Sequence, residues 1–263
     1  MARDLGMRET FDQVADVYDE ARPGYPEALF DDMVALAALP PGGSILEVGC
    51  GTGQATLPLA RRGYSILCLE LSANMAALAA ENCRGLANVQ IENVAFETWS
   101  LRRESFDLVV SAEAFHWIPP EIGYARAAAA LKDGGSLALC WHHSPGEDSA
   151  LRRAIEQVYA EKAPHLVGHL PGKVQSADLV VKTVADFDAT GLFGPVTVKE
   201  YAWPEQRTTD EHLKLLETYS PIRSLGEAER QELLAAVGLV VDRFGGLVES
   251  RAMAVLYVAR VSR

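Results

Sequence analysis

The sequence predicts an α/β fold with a mainly parallel sheet covered by helices on both faces. A short apolar run, Ile45-Leu46-Glu47-Val48, leads directly into the glycine-rich turn Gly49-Cys50-Gly51-Thr52-Gly53, and a helical segment follows. Apolar runs of strand length then alternate with helical segments as far as residue 141. This alternation is typical of parallel sheets that are buried between two layers of helices.

Residues 1–43 precede the first strand and are predicted to be helical. Phe11, Val14, Ala15 and Tyr18 fall at helical spacing, and the prolines at 23 and 26 end that helix. A second helix is predicted over about 27–38, before the Pro-Pro-Gly-Gly turn at 40–43. Because this segment is too short for a core of its own, we expect it to pack on the following residues.

From residue 44 each element is predicted from its pattern. Strands are predicted at 44–48, 64–70, 88–94, 106–111 and 136–141, with helices at 54–62, 72–82 and 121–131 between them. After the fifth strand we predict a helix around 151–158, a loop over 164–172 and a helix over 178–190. A strand at 196–203, helices at 209–220 and 226–243, and a strand at 252–261 complete the chain.

The composition limits the classes of function. The chain has 263 residues, 49% of them hydrophobic, and a net charge of −12. Because nucleic acids and anionic membranes bind basic surfaces, this acidic chain is not expected to bind either. No apolar run approaches the ~20 residues of a membrane span, and residues 1–10 lack the apolar centre of a signal peptide.

The cysteines indicate the compartment rather than a metal site. They stand at positions 50, 68, 83 and 140, which is not a spacing typical of metal ligands. We expect four reduced thiols in a cytoplasmic protein. His142 and His143 also fit no common zinc pattern, so no metal is predicted.

The glycine turn is the strongest candidate for a ligand site, since glycine lets a ligand approach the backbone closely. A dinucleotide fingerprint would need Gly or Ala at position 54, where Gln54 stands. The acidic Glu47 at the strand end would repel a phosphate and suits a cationic ligand without one, such as S-adenosylmethionine (SAM). The alternative interpretation is a structural turn.

At these residues the chain resembles the class I SAM-dependent methyltransferases, whose first motif is acid-x-Gly-x-Gly-x-Gly. Two segments are similar to small-molecule methyltransferases related to trans-aconitate methyltransferase. One is the apolar fourth strand with the small-residue turn and His116-Trp117 that follow it, and the other is the opening Tyr18-Asp19-x-x-Arg22-Pro23-x-Tyr25-Pro26. The similarity covers about residues 11–143 and is loose beyond them.

The resemblance implies a doubly wound, Rossmann-like sheet of seven strands, the last antiparallel. It implies one methyltransferase domain over 1–263, with an N-terminal helical lid (1–43) and a SAM-binding core (44–143). The substrate side (144–263) carries helical insertions after strand five and between the last two strands.

The resemblance also implies the residues that hold SAM. Glu70 at the end of strand two is expected to bind the ribose hydroxyls, although it could be a solvated strand-end charge. Ala95 stands where many relatives have an acid for the adenine, so Phe96 or Glu97 would take over; Phe96 and Trp99 could instead be core aromatics. The predicted cofactor-binding set is Tyr18, Arg22, Glu47, Gly49, Cys50, Gly51, Gly53, Glu70, Leu71, Met75, Ala95, Phe96 and Glu113.

His116 is the predicted catalytic residue, since a histidine can take a proton from a hydroxyl or protonated amine. It could equally be structural, and a carboxylate acceptor would need no base. The predicted function is SAM-dependent methyl transfer to a small molecule, with a carboxylate or hydroxyl as candidate acceptor. The alternatives are a SAM-binding module without catalysis and a nicotinamide-dependent oxidoreductase. The sequence does not predict the acceptor or the oligomeric state.

Overall fold

The computed structural model describes residues 24–143, 149–170 and 176–262. The predicted first helix, with Tyr18 and Arg22 of the predicted lid, lies outside these ranges. None of the helices in the described ranges combines the length and the apolar character that crossing a bilayer requires.

Seven strands form one mixed sheet, in the order β3-β2-β1-β4-β5-β7-β6. Strand β7 runs antiparallel to both of its neighbours, while β1 to β5 are parallel. This confirms the predicted sheet and its reversed last strand. The strands are β1 (Ser44–Val48), β2 (Ser65–Glu70), β3 (Val89–Asn93), β4 (Phe106–Ala112), β5 (Leu131–His143), β6 (Thr197–Thr208) and β7 (Leu247–Arg260).

Helices cover both faces of the sheet because side chains along each buried strand alternate between the two faces. Ile45 points to one face of the sheet and packs against α1, α2 and α3. The next residue, Leu46, points to the other face and packs on the side of α4 and α6. The helices are α1 (Glu27–Leu36), α2 (Thr56–Arg61), α3 (Ala73–Asn82), α4 (Pro120–Ala130), α5 (Ala150–Lys162), α6 (Ser176–Asp188), α7 (Thr209–Glu217), α8 (Ser220–Arg223) and α9 (Glu227–Arg243).

A third apolar cluster lies away from the sheet, between the helices of the two predicted insertions. Helix α5 and the 3₁₀ turn Pro164–His169 come from the first insertion, and α7 to α9 come from the second. Tyr159, Leu216, Leu233 and Val237 are buried together there. The two insertions therefore pack on one another, which local pattern cannot predict.

Strands β6 and β7 are each four residues longer than predicted, because β6 continues to Thr208 and β7 begins at Leu247. Thr208 pairs with Leu247, and the ladder runs from there through Trp203 and Ala252 into the sheet. The added residues are mostly polar, so they carry no apolar signal, and their strand conformation comes from pairing with each other. Pro204 is tolerated because β6 is the edge strand.

The carboxyl ends of β1, β2 and β4 are tied together by hydrogen bonds. The amides of Gly49 and Cys50 donate to the carbonyl of Leu69 at 2.8 and 3.3 Å. The buried hydroxyl of Ser111 in β4 donates to the carbonyl of Val48 in β1 at 2.7 Å. These bonds fix where the loops after β1 and β4 begin.

We expect Ser111→Ala to destabilise the protein by about 1 kcal/mol, because the buried carbonyl of Val48 loses its donor. The melting temperature should fall by about 2 to 4 °C in a calorimetric scan. Ser105→Ala is the control, since its exposed hydroxyl donates to the carbonyl of Arg103, two residues away. Equal melting temperatures for both variants would contradict the role given to Ser111.

Candidate functional site

A first cavity opens at the carboxyl ends of β1, β2 and β4, and encloses about 920 Å³ including its mouth. This is the edge at which open α/β sheets bind ligands. Nine of the residues predicted to hold the cofactor line it: Gly49, Cys50, Gly51, Glu70, Leu71, Met75, Ala95, Phe96 and Glu113.

The glycine turn shapes this cavity through backbone conformation. Gly49 and Gly51 both have positive φ, at 71° and 57°. A Cβ on Gly49 would lie 2.3 Å from the Cβ of Ala114, so this glycine permits close packing of two loops. A Cβ on Gly51 would meet nothing within 4 Å, so its side chain would enter the cavity. The missing side chain at Gly51 therefore leaves cavity space that a ligand can occupy, whereas the missing side chain at Gly49 lets Ala114 pack closely.

Glu70 holds the loops on either side of it. One carboxylate oxygen accepts from the amide of Gly51 at 2.8 Å, and the other accepts from the amide of Ser72 at 2.9 Å. Glu70 is only 8% exposed, so its interpretation as a solvated strand-end charge is wrong. A carboxylate has further acceptor positions after two such bonds, which hydroxyl groups of a ligand can use.

Glu47 lies behind the turn and does not line the cavity. Its carboxylate accepts from the hydroxyl of Thr56 in α2 at 2.6 Å, and both side chains are buried. The reason is strand alternation: Val48 faces the cavity, so Glu47 faces α2. Burial raises the pKa of Glu47 from 4.5 to about 7. The structure therefore does not support the predicted direct contact of Glu47 with a ligand in this cavity.

Gly53 also lies outside the lining. It has φ of 96°, and its neighbours are Cys83 and Ala79 of α3. Its role in this arrangement is to end the turn against α3.

The two aromatic residues that follow β3, Phe96 and Trp99, differ in whether they line the cavity. Phe96 is 3% exposed and belongs to the core, yet it also lines the cavity beside Val94, Ala95 and Glu97. Trp99 is buried away from the cavity and donates to Glu92 at 2.9 Å. Phe96 is thus both core and site, whereas Trp99 is core.

Glu113 contacts a histidine that the sequence pattern does not assign to the site. Its carboxylate accepts from the backbone amide of His142 and lies 3.3 Å from the Nδ1 of that ring. Glu113 has φ of 60°, a conformation that costs energy for residues other than glycine and is often found at functional sites. The ring of His142 stacks on Tyr25 at 4.4 Å, and its Nε2 lies 3.2 Å from the carbonyl of Gly24.

His142 therefore forms part of the wall between two cavities. Glu113 and Tyr25 line the first cavity, while His142 lines a second cavity of about 1180 Å³. The signal in the sequence is its position directly after the buried run of β5, at the ligand-binding edge. The sequence pattern raises this histidine only as a metal ligand, and the described residues contain no cluster of three or more metal-ligating side chains.

His116 lies outside the lining of both cavities. It is exposed in the 3₁₀ turn Phe115–Trp117, and its Nδ1 accepts from the indole of Trp141 at 3.2 Å. The neighbouring Trp117 does line the first cavity. The catalytic role of His116 stays a prediction that no contact in the described residues supports.

Comparison with known proteins identifies the family. Residues 45–135 match the sequence profile of a methyltransferase domain. The chain is 30% identical over 161 residues to an uncharacterised methyltransferase of Geobacillus kaustophilus, covering 58% of this chain and 74% of that protein. This protein is a class I SAM-dependent methyltransferase by family. The methyltransferase family excludes the interpretation as a nicotinamide-dependent oxidoreductase.

Two further similarities support the family and the fold. The chain is 34% identical over 110 residues to trans-aconitate 2-methyltransferase of Deinococcus radiodurans, covering 41% of each. It superposes on phosphoethanolamine N-methyltransferase 2 of Haemonchus contortus, solved with SAM, with a TM-score of 0.57 and 15% identity over 96% of this chain and 57% of that one. The chain spans about half the length of several curated relatives, 54% for three mycobacterial methyltransferases.

The residues of the first cavity fit SAM, the cofactor of the family. Gly51 leaves open space beside the turn, Glu70 offers carboxylate oxygens, and Leu71, Met75 and Phe96 supply apolar surface for an aromatic ring. Within the described part of the chain, the lining has no basic side chain that could bind a phosphate. The chemistry of the described lining thus suits a nucleoside with a cationic group.

The pKa of Glu47 makes stability depend on pH. Between pH 4.5 and about 7 the folded carboxyl keeps its proton while the unfolded chain loses it, so raising the pH favours unfolding. Relative to Glu47→Gln, the free energy of unfolding of the wild type should fall by on the order of 3 kcal/mol across this pH range. Above about pH 7 the difference should stay constant. Urea unfolding at several pH values measures the difference. The exposed Glu81→Gln is the control, and parallel profiles for wild type and Glu47→Gln would refute the assignment.

Proposed function

We propose that the protein transfers a methyl group from SAM, bound in the first cavity, to a small-molecule acceptor. The observation that carries this is the open space at Gly51 beside a carboxylate, Glu70, that the loops already hold in place. Glu70 would bind the ribose hydroxyls, and Met75, Ala95 and Phe96 would surround the adenine. A small acceptor is supported by the volumes of the two cavities and by the acidic chain, which disfavours nucleic acid.

When bound, SAM supplies a methyl group on a positively charged sulfur, which leaves as a neutral thioether. The chain has to hold the acceptor in line with that methyl group, and such positioning can supply much of the acceleration. A carboxylate acceptor is already ionised near neutral pH and needs no general base. A hydroxyl acceptor needs a base, and this choice determines which residues matter.

His142 is the better placed candidate for that base. Glu113 faces one ring nitrogen, so the carboxylate can orient the imidazole. The ring also lies at the wall between the two cavities, where acceptor and methyl group would meet. Its second nitrogen faces the carbonyl of Gly24, so the ring would turn from that contact to reach an acceptor.

The first experiment tests the cofactor site through Gly51. S-adenosylhomocysteine at a hundredfold excess over its Kd should stabilise the wild type by about 2.7 kcal/mol, or several degrees in a melting scan. Gly51→Val should abolish this shift because the side chain fills the cavity.

Gly63→Val is a matched control for that variant. Gly63 also has a positive φ and open space around its Cβ, but it does not line the cavity. Both variants should therefore lose stability without ligand, while only Gly51→Val should lose the ligand-induced shift. The absence of any shift in the wild type would refute the proposed cofactor site.

The second experiment compares two histidines. His142→Ala should lower kcat by about a hundredfold or more if a hydroxyl is methylated, as expected for loss of a general base. The affinity for S-adenosylhomocysteine should stay within a few-fold. His116→Ala is the control and should keep kcat within a few-fold of the wild type, because it lines neither cavity.

Activity is measured as the amount of methylated product, detected by mass spectrometry, with panels of hydroxyl and carboxylate acceptors. A large loss in His116→Ala with little loss in His142→Ala would restore the catalytic role that the sequence predicts for His116. If no acceptor gives product while S-adenosylhomocysteine still binds, the protein is a SAM-binding module without catalysis.

A further inference from the structure

The second cavity lies at the same edge of the sheet as the first. It is formed by the end of β5, the start of β7, the end of β6, and the insertion helices α5 and α7. Both insertions therefore contribute to one cavity, which neither could form alone. Its volume of about 1180 Å³, including the mouth, is suited to a small molecule.

Most of the wall is apolar. The side chains come from both insertions and from β7, and together they would bury a hydrophobic body from water. They are Leu151, Ile155, Leu170, Leu215, Leu216, Val248 and Met253.

Four of the six Arg and Glu side chains in the described lining form two ion pairs. Arg152 donates to Glu156 at 3.2 Å, and Arg207 is paired with Glu205. The remaining arginine of the lining, Arg251, is exposed at the start of β7. To bind an anionic ligand, Arg152 and Arg207 would have to leave an existing ion pair, and the three acids of the lining, Glu156, Glu205 and Glu249, balance its three arginines, so the wall disfavours a multiply charged acceptor.

Three polar atoms near this cavity are buried without a hydrogen-bond partner in the described part of the chain. They are the Nδ1 of His143, the Nδ1 of His212 and the hydroxyl of Tyr159. All three residues line the second cavity, and His143 and Tyr159 are only 6% and 2% exposed. A buried polar group without a partner costs folding free energy, and a side-chain shift that brings the group to the cavity surface would let a ligand satisfy it.

These groups are uncharged near neutral pH. Burial lowers the pKa of His143, and burial together with Arg207 lowers the pKa of His212 to about 4. Burial raises the pKa of the Tyr159 hydroxyl well above its ordinary value. Two neutral imidazoles and a phenol form hydrogen bonds with hydroxyl and carbonyl groups.

We propose that the second cavity is the acceptor site and that it takes a neutral, largely apolar small molecule carrying hydroxyl or carbonyl groups. The inference rests on the proposed function and narrows its acceptor from carboxylate or hydroxyl to hydroxyl. The acceptor oxygen forms a bond to the methyl carbon, the carbon–sulfur bond breaks with its electron pair on sulfur, and the hydroxyl proton passes to His142.

The test is calorimetric titration of the full chain, saturated with S-adenosylhomocysteine, with four probes that share one ring system. Naphthalene is apolar, 2-naphthol has one hydroxyl, 2,7-dihydroxynaphthalene has two, and 2-naphthoate carries a carboxylate. We expect affinity to rise from naphthalene to 2-naphthol to the diol, with 2-naphthoate weaker than 2-naphthol.

Two variants remove single polar groups from the cavity. Tyr159→Phe and His212→Phe should each weaken the diol by about three- to tenfold, as expected for one lost hydrogen bond, and leave naphthalene unchanged. Tyr257→Phe is the matched control, because this tyrosine is buried in the sheet core and lines neither cavity. Tyr159→Phe removes a hydroxyl without a protein partner in the described residues, so it should fold as the wild type does.

The outcomes separate this inference from the proposed function. Tighter binding of 2-naphthoate than of 2-naphthol, or unchanged diol affinity in both variants, would overturn the neutral acceptor while the cofactor site stands. Loss of S-adenosylhomocysteine binding in the wild type would instead refute the proposed function, whatever the probes do.

Discussion

The hydrogen bonds of Glu70 are the constraint on which the rest of the site depends. This one carboxylate accepts an amide from the turn after β1 and an amide from the turn after β2. Both turns are therefore fixed before any ligand arrives, and a ligand spends less of its binding free energy on ordering them. The bonds are charge-assisted and largely buried, which makes them stronger than amide–carbonyl bonds at the surface. The parallel strands bring the two amides to the same edge of the sheet, where both can donate to the Glu70 carboxylate.

The next strands along the sheet extend the site from one cavity to two. Glu113 directly follows β4, has a strained backbone conformation and contacts His142 at the end of β5. Because β7 reverses direction, its start and the end of β6 join this edge, and the insertion helices close over it. The reversed strand thus shapes this edge as well as the fold: it brings both insertions to the second cavity, which is the proposed acceptor site.

The sequence predicted what depends on local pattern and missed what depends on distant contacts. The strand at 44–48, the helix predicted over 72–82 and the acid at the end of β2 are set within a few residues, and the structure has them. The length of β6 and the role of His142 depend on residues far along the chain, namely β7 and Glu113. Likewise, nothing near His116 in the sequence shows that Trp141 occupies its ring nitrogen. Motif position predicted the edge of the site correctly, but side-chain direction required the fold.

Glu47 shows how a residue can belong to a motif without touching the ligand. It faces α2 because Val48 faces the cavity, and burial raises its pKa. A positive charge bound on the cavity side of the turn would favour the ionised carboxylate and lower that pKa. Ionisation of Glu47 and binding of a cationic ligand are therefore linked, and each strengthens the other. A phosphate at the same position would raise the pKa further and gain nothing from this acid. The acid at the end of β1 would thus favour a cationic ligand over an anionic one, acting through the turn.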